Sequence, residues 1–164
     1  MHDLEVSTPP NPPAHLLEGV GWGDFWENGF ALTELIRRFA WLRPDDHILD
    51  VGCGLGRVAW PLSRELGDAG TYDGLDAVRV YLEWCHDGLG LDPARFRFHH
   101  LDVYSSFYNP HGTIKPEDVR FPWPDGSFSL VLASSLFTHL SAAATPNYLS
   151  EISRVLVPRG RLFA

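Results

Sequence analysis

Three glycines at alternate positions, Gly52, Gly54 and Gly56, directly follow the β-rich run HILDV and lead into RVAWPLSRELG, which reads as a helix. A glycine carries no Cβ, so the backbone there can turn sharply and come close to a bound molecule. A helix that opens at such a turn adds unpaired N–H groups. The spacing is G-x-G-x-G, whereas a dinucleotide fingerprint needs its third glycine where Arg57 stands. Asp50 lies two residues before the first glycine, and Cys53 sits between two of them, where packing rather than nucleophilic attack is its expected role. A glycine-rich turn can also be purely structural.

Two further carboxylates fall at the ends of predicted strands. Asp76 closes TYDGLD, 20 residues after Gly56, and a carboxylate there can accept from both hydroxyls of a ribose. It can equally cap the helix that starts near Ala77. Asp102 closes FRFHHLD, between Leu101 and Val103. It could accept from an exocyclic amine while its apolar neighbours flank a purine, and its other reading is a cap or turn residue.

His139, shortly after the predicted fourth strand, is the candidate general base, because imidazole titrates near neutrality. A packed or capping histidine is the alternative. Tyr104, Tyr108 and His111 could line an acceptor pocket or belong to a solvent loop. His99 and His100 are adjacent, so in a strand they point to opposite faces and cannot share a metal. No metal is expected.

The elements that must hold these residues alternate. Helical spacing of Phe25, Leu32, Leu35, Ile36 and Phe39 predicts a helix from Asp24 to Leu42, with Arg37, Arg38 and Arg43 on its solvated side. HILDV, TYDGLD, FRFHHLD and SFSLVLAS read as strands, and GRLFA begins a fifth. Between them lie RVAWPLSRELG, with Pro61 awkwardly in its second turn; VRVYLEWCHDGLG, with Val78, Leu82 and Cys85 on one side; and a helix capped by Thr145 that stops at Pro158. Residues 103 to 126 are irregular. Residues 1 to 23, with STPPNPPAH, form a proline-rich extended arm, a linker or else a lid, beside the aromatic group Trp22, Phe25, Trp26 and Phe30. Residues 24 to 164 form one domain. Alternation predicts an α/β, doubly wound, mostly parallel sheet, whose ligands sit beyond the carboxyl ends of the strands.

Composition narrows the partners. The 164 residues are 45% hydrophobic and 21% charged, which is globular, and the net charge of −8 repels a nucleic-acid backbone. Two cysteines make no disulfide framework. No apolar run approaches a membrane span, and MHDLEV is no signal peptide, so a cytoplasmic protein is expected.

DVGCGLGR, Asp76, Asp102, FPWPDGSFSLV and YLSEISRVLVPRGRL, in this order, resemble class I S-adenosylmethionine-dependent methyltransferases over about residues 45 to 164. More narrowly, YDGLDAVRVYLEWC, FYNPHG and SSLFTHL look like a bacterial branch of small methyltransferases with unassigned substrates. The resemblance implies a Rossmann-like fold with strand order 3-2-1-4-5. It implies that the backbone from Gly52 to Gly56 approaches the methionine part of the cofactor, and that Asp50 holds its amino group, often through water. It implies further that Asp76 binds the ribose, that Asp102 with Val103 reads the adenine, and that Ala133 and Ser134 face the methionine end and the acceptor. Cys53, Ala77 and Ser134 join the cofactor-binding positions. Two departures are Ser129 where the family commonly has Asp, and Arg159-Gly160 where it usually has Gly-Gly. The family's last helix and antiparallel strands have no counterpart before Ala164, so a truncated domain is expected, with strand five exposing Leu162 and Phe163 at an edge that invites self-association.

The function expected is methyl transfer from S-adenosylmethionine, yielding S-adenosylhomocysteine, to a small-molecule acceptor. The alternatives are an S-adenosylmethionine-binding module without turnover and, against the glycine spacing, a nicotinamide-dependent oxidoreductase.

Overall fold

The computed structural model describes residues 8–21 and 23–164; Trp22 lies outside them. Strands β1 (His47–Val51), β2 (Thr71–Asp76), β3 (Phe96–His100), β4 (Phe128–Leu132) and β5 (Leu156–Phe163) form one sheet in the order β3-β2-β1-β4-β5. Every neighbouring pair is parallel. A central parallel strand is covered on both faces, and β1 buries Ile48, Leu49 and Val51 alike.

On one face, Ile48, Tyr72, Phe98 and Leu130 pack against α2 (Phe25–Phe39), α3 (Ala59–Glu65) and α4 (Arg79–Gly88). On the other, Leu49, Leu75 and Val131 meet α5 (Thr145–Val155) and the irregular segment after β3, through Val103, Phe121, Tyr148 and Ile152. The proline-rich arm is not extended throughout: Ala14–Leu17 form a single helical turn, α1, whose Leu16 is buried.

Three local expectations are corrected. Helix α2 turns Trp26, Gly29, Thr33 and Ile36 inward, and Leu35 and Phe39 outward, with Phe39 65% exposed. Close packing sets this rotation: a Cβ on Gly29 would run into the Arg57 carbonyl, and Trp26 meets Trp60 at 5.9 Å between ring centroids. Thr145 is already helical, and Ser141 organises the entry instead, its Oγ accepting from the Ala144 N–H (3.1 Å) and its carbonyl from Thr145 Oγ1 (3.0 Å). Strand β5 starts at Leu156, so Pro158 lies inside it. It is tolerated because the ladder with β4 slips between the pairs Phe128–Leu156 and Leu130–Arg161. Arg159 takes a φ of 67° within that slip. Pro61 is the third residue of α3, in the first turn, where its missing N–H costs nothing.

Ser129 acquires a role from its neighbours. Its hydroxyl donates to Asp46 Oδ1 (2.6 Å) and accepts from the His47 N–H (3.0 Å). Asp46, buried just ahead of β1, also accepts from the Arg43 N–H (2.8 Å) and pairs with Arg161 of β5. The Arg161 guanidinium reaches the Ala40 carbonyl as well (2.9 Å). One carboxylate thus ties the start of β1 to both β4 and β5. Among the described residues no helix is long and apolar enough to cross a membrane.

Asp46→Ala is expected to lower unfolding free energy by about 3–5 kcal/mol, because it leaves Arg161 largely buried without its partner. Urea denaturation of Asp46→Ala, Arg161→Ala and the double variant checks this; the double variant should lose clearly less than the sum of the singles.

Candidate functional site

The chain leaves β1 in a turn that is bonded to the end of β2. The Gly52 and Cys53 N–H groups both donate to the Leu75 carbonyl (2.7 and 3.2 Å). The Gly54 N–H donates to Asp76 Oδ2 (2.8 Å), and the Val78 N–H to Asp76 Oδ1 (2.8 Å). Gly52 and Gly54 hold φ of 81° and 55°, left-handed values that a side chain disfavours. A Cβ on Gly54 would meet nothing within 4 Å, so that backbone is open to a ligand. Gly56 differs: a Cβ there would lie 2.5 Å from Leu89 Cδ1 and 3.2 Å from Cys85 Sγ, so its smallness lets the turn pack against the last turn of α4.

Beyond this turn, at the carboxyl ends of the strands, lies a cavity of about 660 Å³. Of the residues named from sequence, Gly52, Cys53, Gly54, Asp76 and Ala77 lie on its wall after β1 and β2. Val103, Ser134 and His139 join them from the segments after β3 and β4, together with Tyr104 and Tyr108. Gly56, Asp102, His111 and Asp50 are not on this wall.

Each carboxylate has its own environment. Burial pushes the Asp76 carboxyl above its ordinary range, while the backbone amides bonded to it pull the other way. Asp50 is buried beneath the turn, accepts from Tyr72 Oη (2.6 Å), and is pushed up by burial to about 6. It opens instead onto a second cavity of about 30 Å³, shared with Arg57, Gly52 and Ser134. That space suits a water molecule or two. Asp102 faces outward and braces the loop behind Val103, accepting from Thr113 Oγ1 (2.7 Å) and Asn109 Nδ2 (3.1 Å). Hydrogen bonding by Thr113 and then Asn109 holds this carboxyl below its ordinary range. These bonds are those that the cap-or-turn reading calls for.

His139 is exposed on the wall, its Nε2 lying 3.4 Å from Tyr108 Oη with the rings edge to face. Burial pushes the Cys53 and Cys85 thiols upward, which disfavours the thiolate that nucleophilic attack would need. Both Sγ atoms approach the Gly54 carbonyl (3.8 and 3.5 Å) and fix its direction. His99 bonds Asp73 (2.7 Å) and His100 the Ala77 carbonyl (3.1 Å), on opposite faces of β3. Among the described residues no cluster of three or more His, Cys, Asp or Glu could hold a metal.

Sequence reasoning passed over Tyr81 and Arg57 as wall residues, and it left the arm undecided. Gly19, Val20 and Gly21 roof the cavity, and the Val20 carbonyl accepts from Arg57 Nη1 (3.4 Å). Tyr81 lies on the first turn of α4, five residues after Asp76, and that position was its available signal.

Comparison with known proteins agrees with this geometry. A family model described as a methyltransferase domain matches residues 48–160. Uncharacterized methyltransferase YodH of Bacillus subtilis (strain 168) is 31% identical over 134 residues, covering 82% of this chain and 48% of that protein. The demethylmenaquinone methyltransferase of Symbiobacterium thermophilum is 32% identical over 120 residues, covering 73% of this chain and 41% of that protein. Among solved structures, the (4+2)-cyclase SpnF superposes with a TM-score of 0.59 at 27% identity, over 81% of this chain and 43% of that one. The chain thus spans less than half the length of each.

The buried Asp50 leaves a measurable trace. Its folded-state value of about 6 exceeds the unfolded value, so the folded chain binds more protons between about pH 4 and 6. Its contribution to stability is greatest below that window and falls as pH rises through it, by roughly 2–3 kcal/mol. Asp50→Asn should remove that slope, which pH-dependent urea titrations of the two proteins would read as a difference.

Proposed function

The chain belongs to the class I S-adenosylmethionine-dependent methyltransferase family, and from that premise we propose that its cavity binds S-adenosylmethionine and that it transfers the methyl group to a small-molecule acceptor. One observation carries the reading: a carboxylate aimed by two backbone amides stands on the wall of a ligand-sized cavity, beside Gly54, whose Cα faces open space. Such pockets run from ~300 to 1,000 Å³.

The residues present fit that cofactor. Asp76, held still by Gly54 and Val78, takes the ribose hydroxyls. Leu101 and Val103 flank the base, and Asp102 keeps Val103 in place through Thr113 and Asn109. Asp50 reaches the amino group through the small cavity beneath the turn, and Gly52, Cys53 and Ser134 border the methionine end. When bound, the cofactor supplies a methyl group on a positively charged sulfur, already activated toward displacement.

The protein's own work is then positioning and exclusion of water. The roof formed by Gly19, Val20 and Gly21 and the aromatic rings of Phe25, Tyr81 and Tyr148 dry the cavity. Where the acceptor must lose a proton, His139 Nε2 on the wall receives it. Fold alone does not carry the transfer, since a (4+2)-cyclase shares it; the reading rests on the carboxylate, the turn and the histidine together.

Isothermal calorimetry should show S-adenosylmethionine and S-adenosylhomocysteine binding and NAD not binding. Asp76→Ala should weaken cofactor affinity by about 1.5–3 kcal/mol for each hydrogen bond to the charged group that is lost. His139→Ala should leave affinity unchanged and lower turnover. NAD binding without S-adenosylhomocysteine binding would overturn the proposal.

A further inference from the structure

The wall of the main cavity is chemically divided. Among the described residues its only formally charged side chains are Arg57 and Asp76, both at the glycine-turn end. The opposite end, built from the segments after β3 and β4, presents Tyr104, Tyr108, His139, Leu136, Leu140 and the Ser106 hydroxyl. Glu117, on the same side, accepts from Ser141 Oγ (3.4 Å) and is not on the wall. In a chain with 21 acidic residues and a net charge of −8, this end of the wall carries no carboxylate among the described residues.

A charged group brought to this end meets no opposite formal charge on the wall. A hydroxyl needs none. Tyr108 Oη and His139 Nε2 stand 3.4 Å apart, longer than the usual side-chain hydrogen bond, and their rings meet edge to face at 5.2 Å between centroids. A hydroxyl seated beside this pair, at the open side of the contact, can donate to the imidazole nitrogen and accept from the phenol. Phe107, 76% exposed and edge-on to Tyr108 at 4.8 Å, carries the aromatic surface beyond the mouth.

We propose that the acceptor is an uncharged aromatic alcohol whose ring lies against Tyr104 and Tyr108 and whose hydroxyl seats beside the pair of Tyr108 Oη and His139 Nε2. The proposal rests on the reading above that the Asp76 end holds the cofactor, and it names the class of molecule taken at the other end.

The test uses the full chain saturated with S-adenosylhomocysteine and three probes of one size: 2-naphthol, 2-naphthoate and 2-naphthylmethylammonium. Saturation-transfer NMR and calorimetry should show naphthol binding at least about tenfold more tightly than either ion, a difference of about 1.4 kcal/mol or more. Tyr108→Phe should weaken naphthol binding several-fold and leave S-adenosylhomocysteine affinity unchanged. Either ion binding as tightly as naphthol, or a protein that holds S-adenosylhomocysteine and ignores naphthol, overturns the acceptor class while the cofactor reading stands. Failure of S-adenosylhomocysteine itself to bind removes the cofactor reading, and this one with it.

Discussion

The bond from the Gly54 N–H to Asp76 joins the ends of two adjacent parallel strands, and the site is arranged around it. Parallel strands finish side by side, so whatever follows β1 lies next to whatever closes β2. The turn after β1 must leave the sheet at once, and it does so with left-handed glycines whose amides face β2. The Gly52 and Cys53 amides take the Leu75 carbonyl and the Gly54 amide takes Asp76. The same contacts that close the turn therefore aim the carboxylate, and the two cysteine thiols at the Gly54 carbonyl hold the peptide from behind.

The other half of the site depends on a different kind of support. Between β3 and α5 the chain has no α-helix, only a short 3-10 turn at Pro116–Asp118, yet it still covers a sheet face, with Val119 and Phe121 filling the core. Buried backbone there needs partners, and Glu151 and Arg154 of α5 supply them. Glu151 accepts from the Phe121 N–H (2.7 Å), while Arg154 donates to the Phe121 and Trp123 carbonyls (3.0 and 2.8 Å). Asp102 braces the first part of the same segment. An irregular stretch fastened at both ends can carry exposed tyrosines at a cavity mouth without losing their placement.

Burial shapes the electrostatics of the turn end. Asp50 and Asp76 are both pushed upward, Asp50 by burial that its bond from Tyr72 only partly opposes. Carboxylates held in this way favour the approach of a cation or of hydroxyl donors, since either stabilises their ionised form. Asp46, equally buried, is instead satisfied within the fold by Arg161, Ser129 and the Arg43 amide, and serves the sheet rather than a ligand. Burial alone does not separate the two cases; the partners do.

What could be read from the sequence was whatever the backbone encodes locally. Alternating apolar runs and glycine turns set the order of strands and helices, and the parallel sheet with the turn after β1 and Asp76 beside it follows from that order. The side of a helix that packs is not local. Leu35 and Phe39 have the right spacing for a core, but Gly29 and Trp26 lie against Arg57 and Trp60, and that contact turns α2 the other way. Asp76 and Asp102 are both strand-end carboxylates in the sequence, and they part only in space. One lies within reach of the Gly54 amide on the neighbouring strand's turn, whereas the other, two residues past the end of the edge strand, turns to Thr113 and Asn109 of its own loop. The three glycines likewise look equivalent, yet Gly54 opens toward the cavity and Gly56 toward Leu89. The roof formed by the arm and the inward position of Tyr81 were also decided by packing. Side-chain partners 20 to 120 residues away carry no period and no motif, so only the folded chain brings them together.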